Sequence, residues 1–413
     1  MDEFLRPPKR SPLDADETPS RADNTSLSGP SNPNVAPLPI NQSGDKTLLS
    51  KFKFRLPNFR KPRNKKEWII AIAAAVLLLG GISFAVYWFV LRDNAPLALE
   101  QPAPATEPEP TTVASKLSGL QVEKEVNERP IFSVQIENSS EARPQSGLID
   151  ADLVFEAVAE GGITRFNALF HDKHPKNIGP IRSLRPYYID WFWPFDAAIV
   201  HAGGSGEALS DVKRLKLKDI EHGVNGDAFR RVSSRYSPHN LYSTSSDLLK
   251  VMSRRGYKES KFMSLNRKEP APSETLTATT INLKISSALY NVSYSYDKKS
   301  NRYVRSQGGA KHIDAESKKQ ISASTIIVPV LSKSIHPNGI HTRYSTTGSG
   351  KVYIFQDGVV TIGTWKKASR QEQWKFVDAS DKDIHLNTGT TWVTMVDSGS
   401  AATYTAPAPA TTN

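Results

Sequence analysis

The chain contains no cysteine among its 413 residues. A domain outside the cytoplasm that lacks cysteine cannot form disulfides, so its stability has to come from its core alone. We therefore expect neither a lipidated-cysteine anchor nor a cysteine nucleophile. The helix motif of zinc proteases is also missing from the sequence, and we predict no metal and no cofactor.

Residues 68–91 contain no charged side chain. At 1.5 Å per residue, a helix of this length measures about 36 Å, which is enough to cross a bilayer. Trp68 and Trp88 lie near its ends, where aromatic rings suit the membrane interface. The length favours a membrane span over a buried soluble helix, and the position in the chain argues against a cleaved signal peptide. We predict a single transmembrane helix at 67–92.

Acidic residues are missing from 51–66, a stretch that is rich in lysine and arginine. The positive-inside rule keeps such a flank in the cytoplasm, so the C-terminal portion is predicted to be extracytoplasmic. This flank supplies much of the net charge of +11. We interpret it as a signal for topology and for the anionic lipids of the cytoplasmic membrane, and we do not expect nucleic-acid binding.

Composition and pattern divide the chain into six segments. They are a disordered, basic cytoplasmic tail at 1–66; the transmembrane helix at 67–92; a Pro/Ala-rich linker at 93–118; an N-terminal α/β domain with the ligand site at 119–265; a β-rich C-terminal domain at 266–400; and a disordered tail at 401–413. The predicted fold class is α+β, with a mixed α/β first domain followed by a smaller, mainly antiparallel β domain.

Apolar runs between turn residues predict the elements of both domains. In the first domain we predict strands at 131–136, 152–158, 164–170 and 197–201, and helices that start near Ser205 and Thr244. In the second we predict strands at 281–285, 292–296, 303–305, 325–330, 352–355, 359–364 and 391–396, with a hairpin turn at 356–358.

The strongest pattern for a binding site is the sequence HAGGS at 201–205. A buried strand that runs into glycines and then into a helix brings backbone N–H groups and a helix N-terminus to one point. That arrangement suits a phosphate or carboxylate. His201 could donate a proton or a hydrogen bond there, with Gly203, Gly204 and Ser205 supplying amides. A tight turn around a hydrogen-bonded histidine is the alternative.

Arginines form the second pattern. Arg182, Ser183 and Arg185 lie on a segment between two prolines, where two guanidinium groups can converge on one anion. A surface arginine pair on a proline-bounded loop is the alternative.

Further candidates surround these motifs. Glutamates near arginines can form a salt-bridge network, act as a general base or help to hold a cation, and we leave these roles open. The candidate ligand-binding residues are Arg143, Glu156, Glu160, Arg165, Arg182, Ser183, Arg185, His201, Gly203, Gly204, Ser205, His239 and Asn240. No catalytic residue is assigned.

The motifs together resemble the YerB-like family of bacterial lipoproteins, which is built on a domain of unknown function. The resemblance spans 129–396 and rests on RPQSGL at 143–148, ADLVFE at 151–156, EGGITR at 160–165, GPIRS at 179–183, HAGGS at 201–205, PHNLY at 238–242, GTW at 363–365 and LNTGTTW at 386–392. It implies a bacterial, extracytoplasmic, membrane-tethered protein of two domains with no settled reaction. This chain departs from the family in its anchor, because a transmembrane helix stands where a lipidated cysteine is usual.

Two functions remain open at this point. The first is a tethered protein that holds an anionic envelope ligand, such as a wall-polymer phosphate or a peptide carboxylate, with a cell-wall polymer or an envelope protein as partner. The second is an envelope phosphotransferase or hydrolase, because the order of motifs from 164 to 205 also resembles the layout of the LytR–CpsA–Psr transferases. It would use the same arginines, with His201 or a glutamate as acid or base.

Overall fold

The computed structural model describes residues 61–91 and 110–407. The chain divides into two units, Met1–Pro104 and Ala105–Asn413. The predicted tail up to residue 60, most of the predicted linker, at 93–109, and the last six residues lie outside the described residues.

The first unit contains helix α1, Lys65–Val86, which continues as a wider helical turn, Tyr87–Leu91. Asn64 caps its start, because the Asn64 side chain accepts a hydrogen bond from the Glu67 amide at 3.0 Å. The segment Lys65–Phe89 has a mean hydropathy of 2.7 and is long and apolar enough to cross a membrane. An apolar helix is therefore present in the region where the sequence predicts a transmembrane helix.

The second unit is mostly sheet with few helices, as the predicted α+β class requires. Its helices are α2 (Pro186–Phe192), α3 (Gly206–Arg214) and α4 (Ser245–Arg254). Its strands in the first half are β1 (Thr112–Ala114), β2 (Gln121–Glu123), β3 (Phe132–Glu137), β4 (Leu153–Glu160), β5 (Ile163–Phe170), β6 (Ala198–His201), β7 (Asp219–Glu221), β8 (Phe229–Arg231) and β9 (Leu241–Ser243). In the second half they are β10 (Arg267–Lys268), β11 (Thr280–Leu283), β12 (Val292–Asp297), β13 (Arg302–Gln307), β14 (Ala310–Lys311), β15 (Ser322–Ala323), β16 (Thr325–Pro329), β17 (Lys333–Ile335), β18 (Thr342–Tyr344), β19 (Gly348–Gln356), β20 (Val359–Lys367), β21 (Lys375–Val377), β22 (Leu386–Asn387), β23 (Thr391–Thr394) and β24 (Ala402–Thr405).

The centre of this unit is a ten-stranded mixed sheet in the order β21-β20-β19-β16-β23-β4-β5-β3-β6-β7. The hairpins β4–β5 and β19–β20 are antiparallel, whereas β3–β6, β6–β7, β16–β23 and β23–β4 are parallel. A second sheet, in the order β14-β13-β12-β11-β24 with β15 beside β13, accompanies it.

The core lies on both faces of the ten-stranded sheet, because side chains alternate between the faces along each strand. On one face Phe166 and Trp392 pack in a cluster with Tyr294 of the second sheet and with residues of α4. On the other face Leu169 packs in a cluster with Trp191 of α2 and residues of α3. We call these the sheet face and the helix face.

The structure differs from the expected succession of two domains at one important point. Strand β23, from the predicted C-terminal domain, pairs with β4 of the predicted N-terminal domain, and Trp392 lies opposite Val154. Both halves therefore share one sheet. Parallel pairing between strands so far apart in sequence leaves no local pattern that could predict it. Part of the tail predicted to be disordered from residue 401 is ordered, because Ala402–Thr405 forms β24 and pairs with β11.

Several local predictions are confirmed. Ser205 caps α3 by accepting a hydrogen bond from the Ala208 amide at 3.3 Å, and Thr244 caps α4 in the same way. Asp357 and Gly358 both have positive φ in the turn between β19 and β20, which is the geometry of a tight hairpin.

Candidate functional site

The two strongest sequence motifs lie side by side in the structure. The Ala202 amide donates to the Arg182 carbonyl at 3.1 Å, and the Leu184 amide donates to the Gly203 carbonyl at 2.9 Å. The Ser205 amide in turn donates to the Leu184 carbonyl at 3.2 Å. These bonds place the segment that carries Arg182 and Arg185 alongside the residues that follow β6, and the same segment bridges to β3 at Ile136.

Two buried arginines share one glutamate beside this loop. Arg165 of β5 donates to Glu160 Oε1 at 2.5 Å, and Arg185 donates to Glu160 Oε2 at 2.8 Å. Arg165 also donates to the Ser183 carbonyl at 2.6 Å. Burial raises the pKa of Glu160, but the Arg165 and Arg185 charges outweigh it and lower the pKa overall. Burial, and next the charge of Arg165, lower the pKa of Arg185, which reflects two cations held close together.

A third arginine, Arg182, lies three residues before Arg185 on the connection between β5 and α2. Arg182 donates to Glu137 Oε1 at 2.9 Å, and the same oxygen lies 2.9 Å from His239 Nδ1 and accepts from Ser139 at 2.9 Å. We call Glu137, Glu160, Arg165, Arg182 and Arg185 the arginine cluster. Glu137 was not predicted from the sequence; it ends β3 opposite Arg165 of β5. Only the strand pairing identifies it.

Unpartnered polar atoms are concentrated at this place. In the β3–β5 register Gln135 lies opposite Asn167 and Glu137 opposite Arg165, so all four side chains are on one face. Among the described residues six buried atoms here make no hydrogen bond: Gln135 Nε2, Gln135 Oε1, Glu137 Oε2, Arg165 Nε, Asn167 Oδ1 and Arg182 Nε. Buried polar atoms in folded proteins are nearly always hydrogen-bonded, so these six atoms are suited to bind a polar ligand. Gln135 and Asn167 were also missed, since an isolated polar residue in an apolar strand gives no signal.

His201 holds the glycine loop in place. Its Nδ1 lies 2.8 Å from the Gly203 carbonyl oxygen, and its Nε2 lies 2.9 Å from Asp219 Oδ1. Both ring nitrogens are therefore engaged. Gly203 has φ +68, a conformation that favours glycine. In the described part of the chain the Gly203 and Gly204 amides donate no hydrogen bond, whereas the Ser205 amide donates to the Leu184 carbonyl.

Glu156 lies on the sheet face, away from the arginine cluster. It pairs in register with Phe166, while its neighbour Ala157 pairs with Arg165. Its carboxylate accepts from Arg305 at 2.9 Å, and both side chains are fully buried. The Arg305 guanidinium also lies over the Trp392 ring at 4.3 Å. This ion pair belongs to the core between the two sheets.

Arg143 and Asn240 likewise hold the fold together. Arg143 donates to the Asn138 side chain at 3.1 Å and to the Leu289 carbonyl at 3.0 Å. The Asn240 amide oxygen accepts from Arg231 at 2.7 Å. Neither side chain contacts the arginine cluster.

The charges decide what the cluster can do. Three guanidinium groups face two carboxylates, so one positive charge is left over, and the Nε–H groups of Arg165 and Arg182 remain available. Guanidinium groups bind carboxylates and phosphates. In the described segments no three His, Asp or Glu side chains are grouped as the ligands of a metal would be.

Comparisons with known proteins cover both halves of the chain. Residues 117–258 match the N-terminal domain, and residues 281–393 the C-terminal domain, of "Protein of unknown function (DUF3048)". The chain is 32% identical over 292 residues to the Bacillus subtilis protein named "Putative lipoprotein YerB". The aligned region covers 69% of this chain and 87% of that protein. The crystal structure of the YerB protein from Bacillus subtilis is similar with a TM-score of 0.65 at 30% identity, over 70% of this chain and 99% of that one.

Proposed function

Since this chain belongs to the YerB-like family of proteins of unknown function, we propose a function from its own site. It is a membrane-tethered, extracytoplasmic bacterial protein that binds an anionic ligand of the cell envelope at the arginine cluster. The ligand carries a phosphate or a carboxylate.

The observation that carries this proposal is the surplus of positive charge in the cluster. Glu160 is shared by two arginines, so it neutralises only one of their charges. An anion that approaches from the Arg182 side would balance the other. It would also accept from the Nε–H of Arg182, which is buried and has no partner among the described residues.

The cluster is accessible on that side. The side chains of Arg182 and His239 are 24% and 23% exposed, and Glu160 is 26% exposed. A ligand can therefore reach these groups from solvent, while the buried Arg165 and Arg185 supply charge from behind.

Binding is better supported than phosphoryl transfer or hydrolysis. A reaction would need a base with a free atom beside the bound phosphate. His201 has both ring nitrogens engaged, and Glu160 is held by two arginines with its pKa lowered. Neither of these two candidate bases has a free atom for a bound phosphate, and Glu137, whose Oε2 is free, is buried and paired with Arg182 through its other oxygen.

The membrane tether rests on α1. Lys65–Phe89 is 25 residues long with a mean hydropathy of 2.7, and the basic flank before it supports a cytoplasmic N-terminus by the positive-inside rule. The YerB relative is named a lipoprotein, and a lipid anchor would likewise keep a protein at the membrane.

Calorimetric titration of the full chain in detergent tests the proposal with pyrophosphate and glutarate as probes. The two probes distinguish a phosphate ligand from a carboxylate ligand. Arg182→Gln should weaken binding of the preferred probe by about tenfold to a hundredfold, because a charge-assisted hydrogen bond contributes about 1.5–3 kcal/mol. The matched control is Arg254→Gln, which removes an exposed arginine paired with Asp227 and should leave binding unchanged. Equal affinities for Arg182→Gln and the unaltered chain would contradict the proposal.

A further inference from the structure

A cavity of about 440 Å³ opens where the start of α3 faces the β17–β18 hairpin. We call it the α3 cavity, and its walls include Ser205, Gly206, Glu207, His336, His341 and Arg343. A volume of this size is within the range of small-molecule sites. None of the three arginines of the cluster lines it, but His341 of its wall bridges to Glu160, so the cavity adjoins the arginine cluster without including its guanidinium groups.

Two carboxylates in the wall, Asp190 and Asp211, are offset by two arginines: Arg370, and Arg214, which donates to Asp211 at 2.5 Å. Arg370 donates to Asp190 at 2.5 Å and to Asp211 at 2.6 Å. Thr346 donates to the second oxygen of Asp190 at 2.5 Å. A guanidinium group that holds two carboxylates in this way has no remaining charge for a ligand.

A second pair of charges in the wall is only loosely engaged. The Glu207 carboxylate is 3.6 Å from the Arg343 guanidinium and 3.9 Å from His336 Nε2, which is beyond hydrogen-bond length. The Glu207 and Arg343 side chains are about half exposed. Such exposed pairs stabilise a fold very little, so a ligand can replace their mutual contact at small cost.

The backbone adds donors next to Glu207. Ser205 caps the helix through Ala208, while the amides of Gly206 and Glu207 make no hydrogen bond among the described residues. These are the free N–H groups of the first helical turn, where the helix dipole favours a negative charge.

The signs of these groups select the ligand. An anion alone would bind at the amides and Arg343 but would be repelled by the adjacent Glu207. A cation alone would bind Glu207 but would be repelled by Arg343. A ligand with both charges a few ångströms apart converts both repulsions into attractions. His341 does not alter this balance, because burial and then the Arg185 charge lower its pKa, leaving the ring neutral at pH 7.

We propose that the α3 cavity binds a small zwitterion of the amino-acid class. Its carboxylate is held by Arg343 and the amides of Gly206 and Glu207, and its ammonium group by the Glu207 carboxylate. The side chain of the ligand occupies the rest of the cavity, beside Tyr187 and Tyr344.

Ligand-observed NMR on the full chain in detergent tests this with a panel of free amino acids of both configurations. At least one should bind at millimolar concentration or below. Its N-acetyl derivative, which lacks the ammonium group, and its amide, which lacks the carboxylate, should each bind at least about tenfold more weakly. Binding of the N-acetyl derivative as tight as that of the parent would overturn the proposal, since the cavity would then be an anion site. Absence of binding by every amino acid would overturn it as well.

Substitutions locate the site. Glu207→Gln and Arg343→Gln should each weaken binding of the amino acid by at least about tenfold, and both side chains are exposed enough for the fold to tolerate the change. Arg182→Gln should leave this binding unchanged, which separates the proposal from that for the arginine cluster. Unchanged binding in Arg343→Gln would contradict the assignment.

Discussion

Glu160→Gln is the most informative single change in the arginine cluster. The substitution keeps the size and shape of the side chain but removes the charge that Arg165 and Arg185 share. Removing one partner of a buried ion pair costs about 3–5 kcal/mol, because the other charge stays buried without compensation. Glu160 is 26% exposed, so we expect the lower end, about 3 kcal/mol of unfolding free energy.

The assay is urea unfolding followed by tryptophan fluorescence. The matched control is Glu259→Gln, which breaks an exposed pair with Lys261 and should give no measurable change. In a double-mutant cycle, Arg185→Met should cost less in the Glu160→Gln background than alone, because it removes one of the two uncompensated charges. A loss below about 1 kcal/mol for Glu160→Gln would refute the reasoning, since the two arginine charges would then be stabilised in another way.

The pH dependence gives a second check on the same variant. The folded-state pKa of Glu160 lies below its ordinary value of 4.5, so its contribution is fully present above that pH. It fades as the pH falls through the folded-state pKa. The difference in stability between the unaltered chain and Glu160→Gln should therefore shrink at pH 3.

Three further predictions follow from other parts of the structure. Burial, and next the charge of Asp172, raise the pKa of Asp152 from 3.8 to about 7, so Asp152 makes the fold less stable as the pH rises from 4 to 7. Thermal melts of Asp152→Asn should lose this slope and show higher stability than the unaltered chain at pH 8. A fragment at 110–407 should melt at one temperature with and without dithiothreitol, and a fragment that ends at 400 should melt lower because it lacks β24. A reporter fused to the C-terminus should be active outside the membrane and one fused to the N-terminus inside; the reverse would contradict the topology.

Local elements could be predicted because their signals are local. The apolar runs, the cap at Ser205 and the turn at Asp357–Gly358 depend on residues close in sequence. The shared sheet could not be predicted, because β4 and β23 stabilise each other only across a long sequence separation. Strand β24 was missed for the same reason, since its pairing with β11 is its main support.

The sequence predicted the two segments that meet at the site, 182–185 and 201–205, but it did not predict which glutamates pair with the arginines. Glu156 and Glu160 are four residues apart, which in a regular strand puts both on one face. An irregularity in the β4–β5 register between Val158 and Glu160 lets Glu160 reach the arginines while Glu156 stays in the core. Bulges of this kind depend on the partner strand, so the sequence could not separate the two glutamates.

The most direct test of anion binding at the arginine cluster is a crystal structure of the protein with pyrophosphate or glutarate bound. We predict an oxygen of the anion within about 3.2 Å of the Arg182 guanidinium nitrogens, on the side from which Arg182 and His239 are accessible. An anion bound elsewhere while the arginine cluster keeps only its internal contacts would contradict it.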